Sequence, residues 1–263
     1  MRARDFAYFD GPSPVGLAHR GGAEYGPNVG IENTMAAFRA AVDLGFRYLE
    51  TDVHATRDGE LLAFHDTVLD RVTDGQGVIA SMPYAAVRDV LVGGREPIPR
   101  LTDLLEEFPA TRINIDVKAP AAVAPLVRII KAHKAIDRVC VGSFSETRLR
   151  AVRKELGPRL ATAAGQVGTG HLRFAPGFTL RWLSTPAPVL QIPETHELKG
   201  RTVRLVTPWF VDRVHRLGKH LHVWTIDDRA DMERLFDWGV DGIVSDRIDT
   251  LAEALAARGA PLS

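Results

Sequence analysis

A closed (β/α)8 TIM barrel of the α/β class is the fold this chain predicts, on three observations. Eight short runs rich in apolar and β-branched residues alternate with longer amphipathic stretches, the pattern of consecutive parallel βαβ units. The 263 residues suit one barrel of eight such units, so positions 1–263 are expected to form a single domain. No glycine-rich dinucleotide turn is present, which argues against an open doubly wound sheet.

The first strand, 16–21, runs through Leu17-Ala18-His19-Arg20-Gly21 and on to Gly22. A histidine and an arginine thus leave a strand into a glycine pair. Small residues let backbone amides approach an anion, and the planar guanidinium of Arg20 can bind two phosphate oxygens. A helix is predicted over 34–44 and the second strand over 48–56. The third strand, 112–118, follows only after residues 57–111, far more than one crossover helix needs. This stretch is expected to be a small insertion at the strand C-terminal ends, where barrel active sites lie.

The insertion begins with a strand-like run at 61–66, too close to Thr56 for anything but an antiparallel hairpin. Asp58-Gly59 is the expected two-residue turn. In that register Arg57 faces Glu60 and Asp52 pairs with His65, while alternation puts Glu50, Asp52 and His54 on one face. The third strand reads Ile113-Asn114-Ile115-Asp116-Val117-Lys118, with polar residues on a face that would be buried and so must find partners. One reading is an internal pair between Asp116 and Lys118. The other brings both to the barrel mouth beside Glu50 and Asp52, where three carboxylates would repel unless a cation joined them. Hard oxygen ligands select Mg²⁺ or Ca²⁺ over zinc.

The remaining strands, 139–144, 160–164, 189–193, 221–226 and 242–246, alternate with helices such as 121–133, 146–156, 208–217 and 230–238. Trp209 and Trp238 fall at helical spacing among aliphatic residues and are expected in the core. The segment 174–188, with Trp182 and three prolines, reads as a packed loop or an apolar rim before strand six. Lys plus Arg and Asp plus Glu each number 33, so no global positive field gathers nucleic acid or an anionic membrane. The one cysteine, Cys140, excludes an internal disulfide framework and reads as an inert core thiol. No apolar run is long enough for stable membrane insertion, and the opening residues lack a secretory pattern, so a cytoplasmic protein is expected. No oligomeric state is implied.

The ordered motifs His19-Arg20-Gly21, Glu32-Asn33-Thr34, Glu50-Thr51-Asp52-Val53, Thr56-Arg57-Asp58-Gly59 and His65-Asp66 resemble the glycerophosphodiester phosphodiesterase family. Asp116-Val117-Lys118, Ser143-Phe144, Val223-Trp224-Thr225 and Asp241-Gly242-Ile243-Val244-Ser245-Asp246 continue the resemblance over nearly the whole chain. It implies a barrel enzyme that cleaves a small-molecule glycerophosphodiester to sn-glycerol 3-phosphate and an alcohol. It implies general acid–base roles for His19 and His65, and a divalent cation, Mg²⁺ or Ca²⁺, on Glu50, Asp52 and Asp116. Phosphate contacts fall to Arg20 and Lys118, the substrate pocket to Trp224, and a supporting pocket position to Glu32. In the implied mechanism the glycerol 2-hydroxyl attacks phosphorus and water opens the resulting cyclic phosphate.

Two positions depart from the family pattern. Asp116 stands where the family most often has Glu, and Ile31 stands where Pro usually precedes Glu32. The same site acting on a lipid-bearing diester would make a lysophospholipase D, and a barrel that binds without catalysis is the rival from another class. The His-x-His pair of His220 and His222 resembles zinc hydrolases, but on a late strand instead of the first. A Schiff base on Lys118 would need a lowered pKa, which three neighbouring carboxylates oppose.

Overall fold

The computed structural model describes residues 1–176, 185–198, 200–260 and 262. Its strands are β1 (Val15–His19), β2 (Tyr48–Ala55), β3 (Leu61–Ala63), β4 (Leu91–Val92), β5 (Glu96–Pro97), β6 (Arg112–Val117) and β7 (Val139–Gly142). They continue with β8 (Ala161–Thr162), β9 (Val189–Pro193), β10 (Thr195–Leu198), β11 (Arg201–Arg204), β12 (His220–Trp224) and β13 (Gly242–Ser245). The helices are α1 (Met35–Asp43), α2 (Leu101–Glu107), α3 (Val123–Ala132), α4 (Glu146–Leu156), α5 (Gln166–Phe174), α6 (Pro208–Arg216), α7 (Arg229–Asp237) and α8 (Ile248–Ala256).

Eight strands pair in parallel in the order β8-β7-β6-β2-β1-β13-β12-β9. A single parallel bridge between Ala163 and Val189 joins the two ends and closes the barrel. The predicted fifth strand, 160–164, is therefore cut to the two residues of β8 plus that bridge. Every residue of β2 is buried, as expected for a strand covered on both faces. Aliphatic side chains from the strands meet the inner faces of the helices in one continuous core, including Leu49, Ile113, Val141, Leu221 and Ile243. Cys140 is buried inside the barrel and its thiol is pushed far up by that burial, so the inert reading holds.

The N-terminal segment fills the end of the barrel away from the strand C-termini. Phe6 and Tyr8 are buried with Leu17, Tyr48, Cys140 and Val244, and Tyr8 packs edge-on against Tyr48 with ring centroids 5.5 Å apart. Helix α2 supplies the crossover between β2 and β6, a helix that the sequence patterning does not predict. The excursion that precedes it has its own small core of Leu62, Phe64, Leu69, Ile79, Val87, Val92 and Ile98. None of the described helices is long and apolar enough to cross a membrane.

The hairpin register differs from the expected one. Ala55 pairs with Leu61, His54 with Leu62 and Val53 with Ala63, and the Phe64 amide donates to the Asp52 carbonyl at 2.9 Å. Asp52 therefore lies opposite Phe64, not His65. The loop is Arg57-Asp58-Gly59, three residues instead of two, with Gly59 at φ +88°. A type I turn ended by a left-handed glycine is the common three-residue hairpin. Thr56 stabilises it by donating its hydroxyl to Asp58 and accepting from the Glu60 amide at 3.0 Å. Trp209 is the other packing difference: it is half exposed, its indole facing arginines instead of the core.

Candidate active site

Parallel pairing places the functional residues in adjacent rows. His19 at the end of β1 stands beside Glu50 of β2, and Asp52 stands beside Asp116 of β6. Just past His19 the chain turns through Arg20, Gly21 and Gly22, all with positive φ. A Cβ on Gly21 would lie 2.8–2.9 Å from Ala37 of α1, and one on Gly22 would lie 2.6 Å from the Ile248 side chain. Glycine is required there by conformation and close packing. Both amides are bound within the turn, to the carbonyls of Ala18 and His19, so the expected approach of free amides to an anion is replaced by side-chain donors.

A pocket of about 690 Å³ opens at the strand C-terminal ends and is lined by His19, Arg20, Glu50, Asp52, His65, Asp116, Lys118 and Trp224. Eight of the nine residues singled out from sequence thus face one cavity. The ninth, Glu32, stands behind Arg20 and accepts from its Nη1 at 2.9 Å. His65 reaches the pocket despite the shifted register because the chain leaves the ladder after Ala63.

The two histidines are held alike. His19 donates from Nδ1 to Asp246 Oδ1 at 2.8 Å, and His65 donates from Nδ1 to Asp66 Oδ1 at 2.6 Å. In each, the carboxylate fixes the tautomer and leaves Nε2 for the pocket. His19 Nε2 is 3.8 Å from Glu50 Oε2. Burial lowers the His19 pKa, but the Asp246 hydrogen bond and the charges of Glu50 and Asp246 outweigh it, and the net direction is upward. His54 donates from Nε2 to the His65 carbonyl at 3.0 Å, so it steadies the backbone under His65.

The cations and carboxylates form a connected set. Lys118 Nζ lies 2.8 Å from both Asp52 Oδ1 and Asp116 Oδ2, and Arg20 Nε lies 3.1 Å from Asp52 Oδ2, too poorly aligned for a hydrogen bond. Burial pushes Asp52 up, but Lys118 and Arg20 hold it below the usual carboxylate range. Lys118 shows the converse: burial pulls it down and the Asp116 and Asp52 carboxylates raise it. That environment suits a permanent cation and not a Schiff-base lysine. Among the described residues Glu50 has no lysine or arginine in its ion pairs, and burial, followed by the nearby Asp52 charge, pushes it up to about 7.

Several partners escaped sequence reading. Arg71, in the excursion, holds Glu32 through Nη2 at 2.6 Å and Nη1 at 3.1 Å. Its Nε also reaches Asp66 Oδ2 at 2.5 Å. It therefore links the carboxylate behind Arg20 to the one behind His65. Asn33 accepts from the Thr51 hydroxyl at 2.7 Å and donates to Asp52 Oδ2 at 3.4 Å, while Thr34 caps α1 by accepting from the Ala37 amide. The Glu32-Asn33-Thr34 run thus braces Arg20, Asp52 and α1 in turn. Trp224 packs edge-on against Phe144 at 6.0 Å, and Ile192 and Leu205 extend the apolar wall.

Other sequence features fall outside this set. His222 is fully buried, pushed down to about 3 by burial, and packed on Gly242. Among the described residues no three His, Cys, Asp or Glu side chains form a ready-made metal cage, which leaves the zinc reading of His220 and His222 without a ligand set. At the pocket, Lys118 stands between two of the three candidate carboxylates. The segment 174–188 with Trp182 lies largely outside the described residues.

Residues 19–250 match the model of the glycerophosphoryl diester phosphodiesterase family. A Mycobacterium tuberculosis protein named Probable glycerophosphodiester phosphodiesterase 2 is 38% identical over 93% of this chain and 92% of its own length. A glycerophosphodiester phosphodiesterase of Caldanaerobacter subterraneus is 30% identical over 92% and 98%, and a lysophospholipase D of Rattus norvegicus 28% over 91% and 85%. Among solved structures, an Oleispira antarctica phosphodiesterase in complex with the product sn-glycerol-3-phosphate superposes with a TM-score of 0.76 at 25% identity, over 93% of this chain and 97% of that one.

Proposed function

Because this chain belongs to the glycerophosphoryl diester phosphodiesterase family and is a phosphoric diester hydrolase, we propose that its pocket hydrolyses glycerophosphodiesters to sn-glycerol 3-phosphate and an alcohol by histidine acid–base catalysis. The observation that supports this most directly is the convergence of two carboxylate-held histidines with Arg20 and Lys118 on one cavity. The complex of the Oleispira antarctica phosphodiesterase with sn-glycerol-3-phosphate agrees with that substrate class.

A phosphodiester is an anion and resists attack by another electron-rich oxygen. Arg20 and Lys118 would bind its phosphoryl oxygens and stabilise charge that builds on them. In the proposed first step one histidine Nε2 takes the proton of the glycerol 2-hydroxyl as that oxygen attacks phosphorus. The other Nε2 gives a proton to the leaving alkoxide. In the second step the roles reverse as water opens the cyclic phosphate, so each histidine ends in its starting state. Trp224 and Phe144 would bound the pocket on its apolar side, and Glu32 would keep Arg20 aimed at the phosphate.

Glu50, Asp52 and Asp116 fit a divalent cation of the Mg²⁺ or Ca²⁺ kind. They are oxygen donors on adjacent strands, and Glu50 is a buried carboxylate pushed up to about 7, which a cation would relieve. When bound, the ion supplies further charge neutralisation at the phosphoryl group. Lys118 would then give up one of its two carboxylates. A lysophospholipase D activity is the second reading, favoured by the apolar wall of Phe144, Ile192, Leu205 and Trp224.

The test is release of glycerol 3-phosphate from glycerophosphodiesters by the wild type and by His19→Ala and His65→Ala. Loss of about 10²- to 10⁴-fold in each variant, with the fold retained, is the expected result for a general acid or base. Turnover near wild type in either removes that histidine from the mechanism.

A further inference from the structure

The diesterase reading leaves the alcohol undefined, and on that reading the charges around the pocket point to one class. Glu50, Asp52 and Asp116, the acidic residues lining the pocket, come from β2 and β6, where Arg20 and Lys118 pair with Asp52 and Asp116. Helix α5 adds another cation, Arg173, which has no carboxylate partner among the described residues. Neutral groups fix its orientation. Nε donates to the Leu205 carbonyl at 2.9 Å and Nη2 to the Arg204 carbonyl at 3.2 Å. The guanidinium lies 5.2 Å from the Phe174 ring centroid and 5.6 Å from that of Trp209.

A second unpaired guanidinium stands beside it. Arg213 of α6 is buried and lies 5.0 Å from the Trp209 ring. It donates to the Ala175 carbonyl, and among the described residues its Nε has no hydrogen-bond partner and it too has no carboxylate partner. Positions 177–184, which follow α5, contain no Asp or Glu in sequence. Two neighbouring cations without counter-charge are unfavourable in the free protein and attract an anion. A quaternary ammonium would find the opposite: one side of Phe174 and one of Trp209 already lie against Arg173, and both guanidinium charges would repel it.

We propose that Arg173, backed by Arg213, forms a second anion subsite in the pocket, and that the preferred substrates are glycerophosphodiesters whose leaving alcohol carries its own phosphate group. Bis(glycerophospho)glycerol is the probe: water cleaves one diester to give glycerol 3-phosphate and glycerophosphoglycerol, the latter keeping the second phosphate. Glycerophosphoglycerol supplies the neutral alcohol and glycerophosphocholine the cationic one. For the wild type, kcat/KM is expected to be about tenfold or more higher for the bis compound than for glycerophosphoglycerol, the effect of about 1.4 kcal/mol. It should be lowest for glycerophosphocholine.

In Arg173→Gln the bis-to-neutral ratio should fall to about two, the count of equivalent scissile bonds, while Arg173→Lys retains most of it. Added salt should lower the wild-type ratio. A ratio near two in the wild type, or one that Arg173→Gln leaves unchanged, overturns the subsite while the diesterase stands. If Arg173→Gln does not fold, the wild-type ratio and its salt dependence decide the question alone. Release from none of the three substrates overturns the diesterase reading itself.

Discussion

His19 and His65 sit on different parts of the chain, yet each is bound at Nδ1 by a carboxylate and presents Nε2 to the same pocket. If one acts as acid while the other acts as base, kcat/KM should follow a bell in pH, since each limb requires the opposite charge state. A monotonic rise well past pH 9 would contradict paired histidines. Asp246→Asn should keep the fold but lower kcat, because the amide no longer fixes the productive tautomer or stabilises the imidazolium. Measured kcat unchanged from wild type would show that Asp246 is only a surface partner. The motifs made His19, Arg20, Glu50, Asp52, His65 and Lys118 legible in sequence. Asp246 lies in a recognisable motif but its role is not legible in sequence, because it meets His19 across 227 positions and such closure of the barrel has no local signature.

At the scale of elements, the hairpin after β2 shows how a local rule sets or misplaces a register. Asp58-Gly59 correctly signals a turn, but the third loop residue shifts every pair by one and puts Phe64 opposite Asp52. His65 still reaches the pocket because the chain leaves the ladder after Ala63, and Asp66, itself held by Arg71, binds its Nδ1 there. Helix α2 and the role of Arg71 were not legible, since both sit in an irregular stretch without clear periodicity. Arg71→Met is expected to lower kcat by about 10- to 100-fold through loosening of both Glu32 and Asp66, as small misplacements of reacting groups do. Arg71 is half exposed, so thermal stability should change little. Full activity in the variant would make the link between the two carboxylates incidental.

The whole barrel divides its ends by task. The strand C-termini carry the pocket, and the other end is filled by Phe6 and Tyr8 and braced by Asp241. Asp241 accepts from His215 Nε2 and from the Leu221 amide, both at 2.8 Å. Burial pushes Asp241 up, yet the His215 hydrogen bond and nearby histidine charges leave it below its usual 3.8. The hydrogen bond to Asp241 raises His215 above 6.5. A raised histidine stabilises fully below its unfolded value and loses that contribution as pH rises through the folded one; a lowered carboxyl loses its contribution as pH falls through its own. The urea midpoint difference between wild type and His215→Gln should therefore be largest between about pH 4 and 6.5 and shrink at higher pH. A difference that grows above neutrality would contradict this pairing.

Eight parallel strands were legible at this scale because the βα alternation repeats along the chain. The weak closure through Ala163 and Val189 was not, since two residues of β8 carry too little pattern to show where pairing stops. The central claim joins this architecture to one chemistry at its mouth, and it is tested most directly by glycerol 3-phosphate release from a glycerophosphodiester by the purified protein, treated with EDTA and then given back Mg²⁺ or Ca²⁺. Release that stops with EDTA and returns with the metal is the predicted result. Release undiminished by EDTA would contradict the role given to Glu50, Asp52 and Asp116, and no release by folded, metal-supplied protein would contradict the diesterase itself.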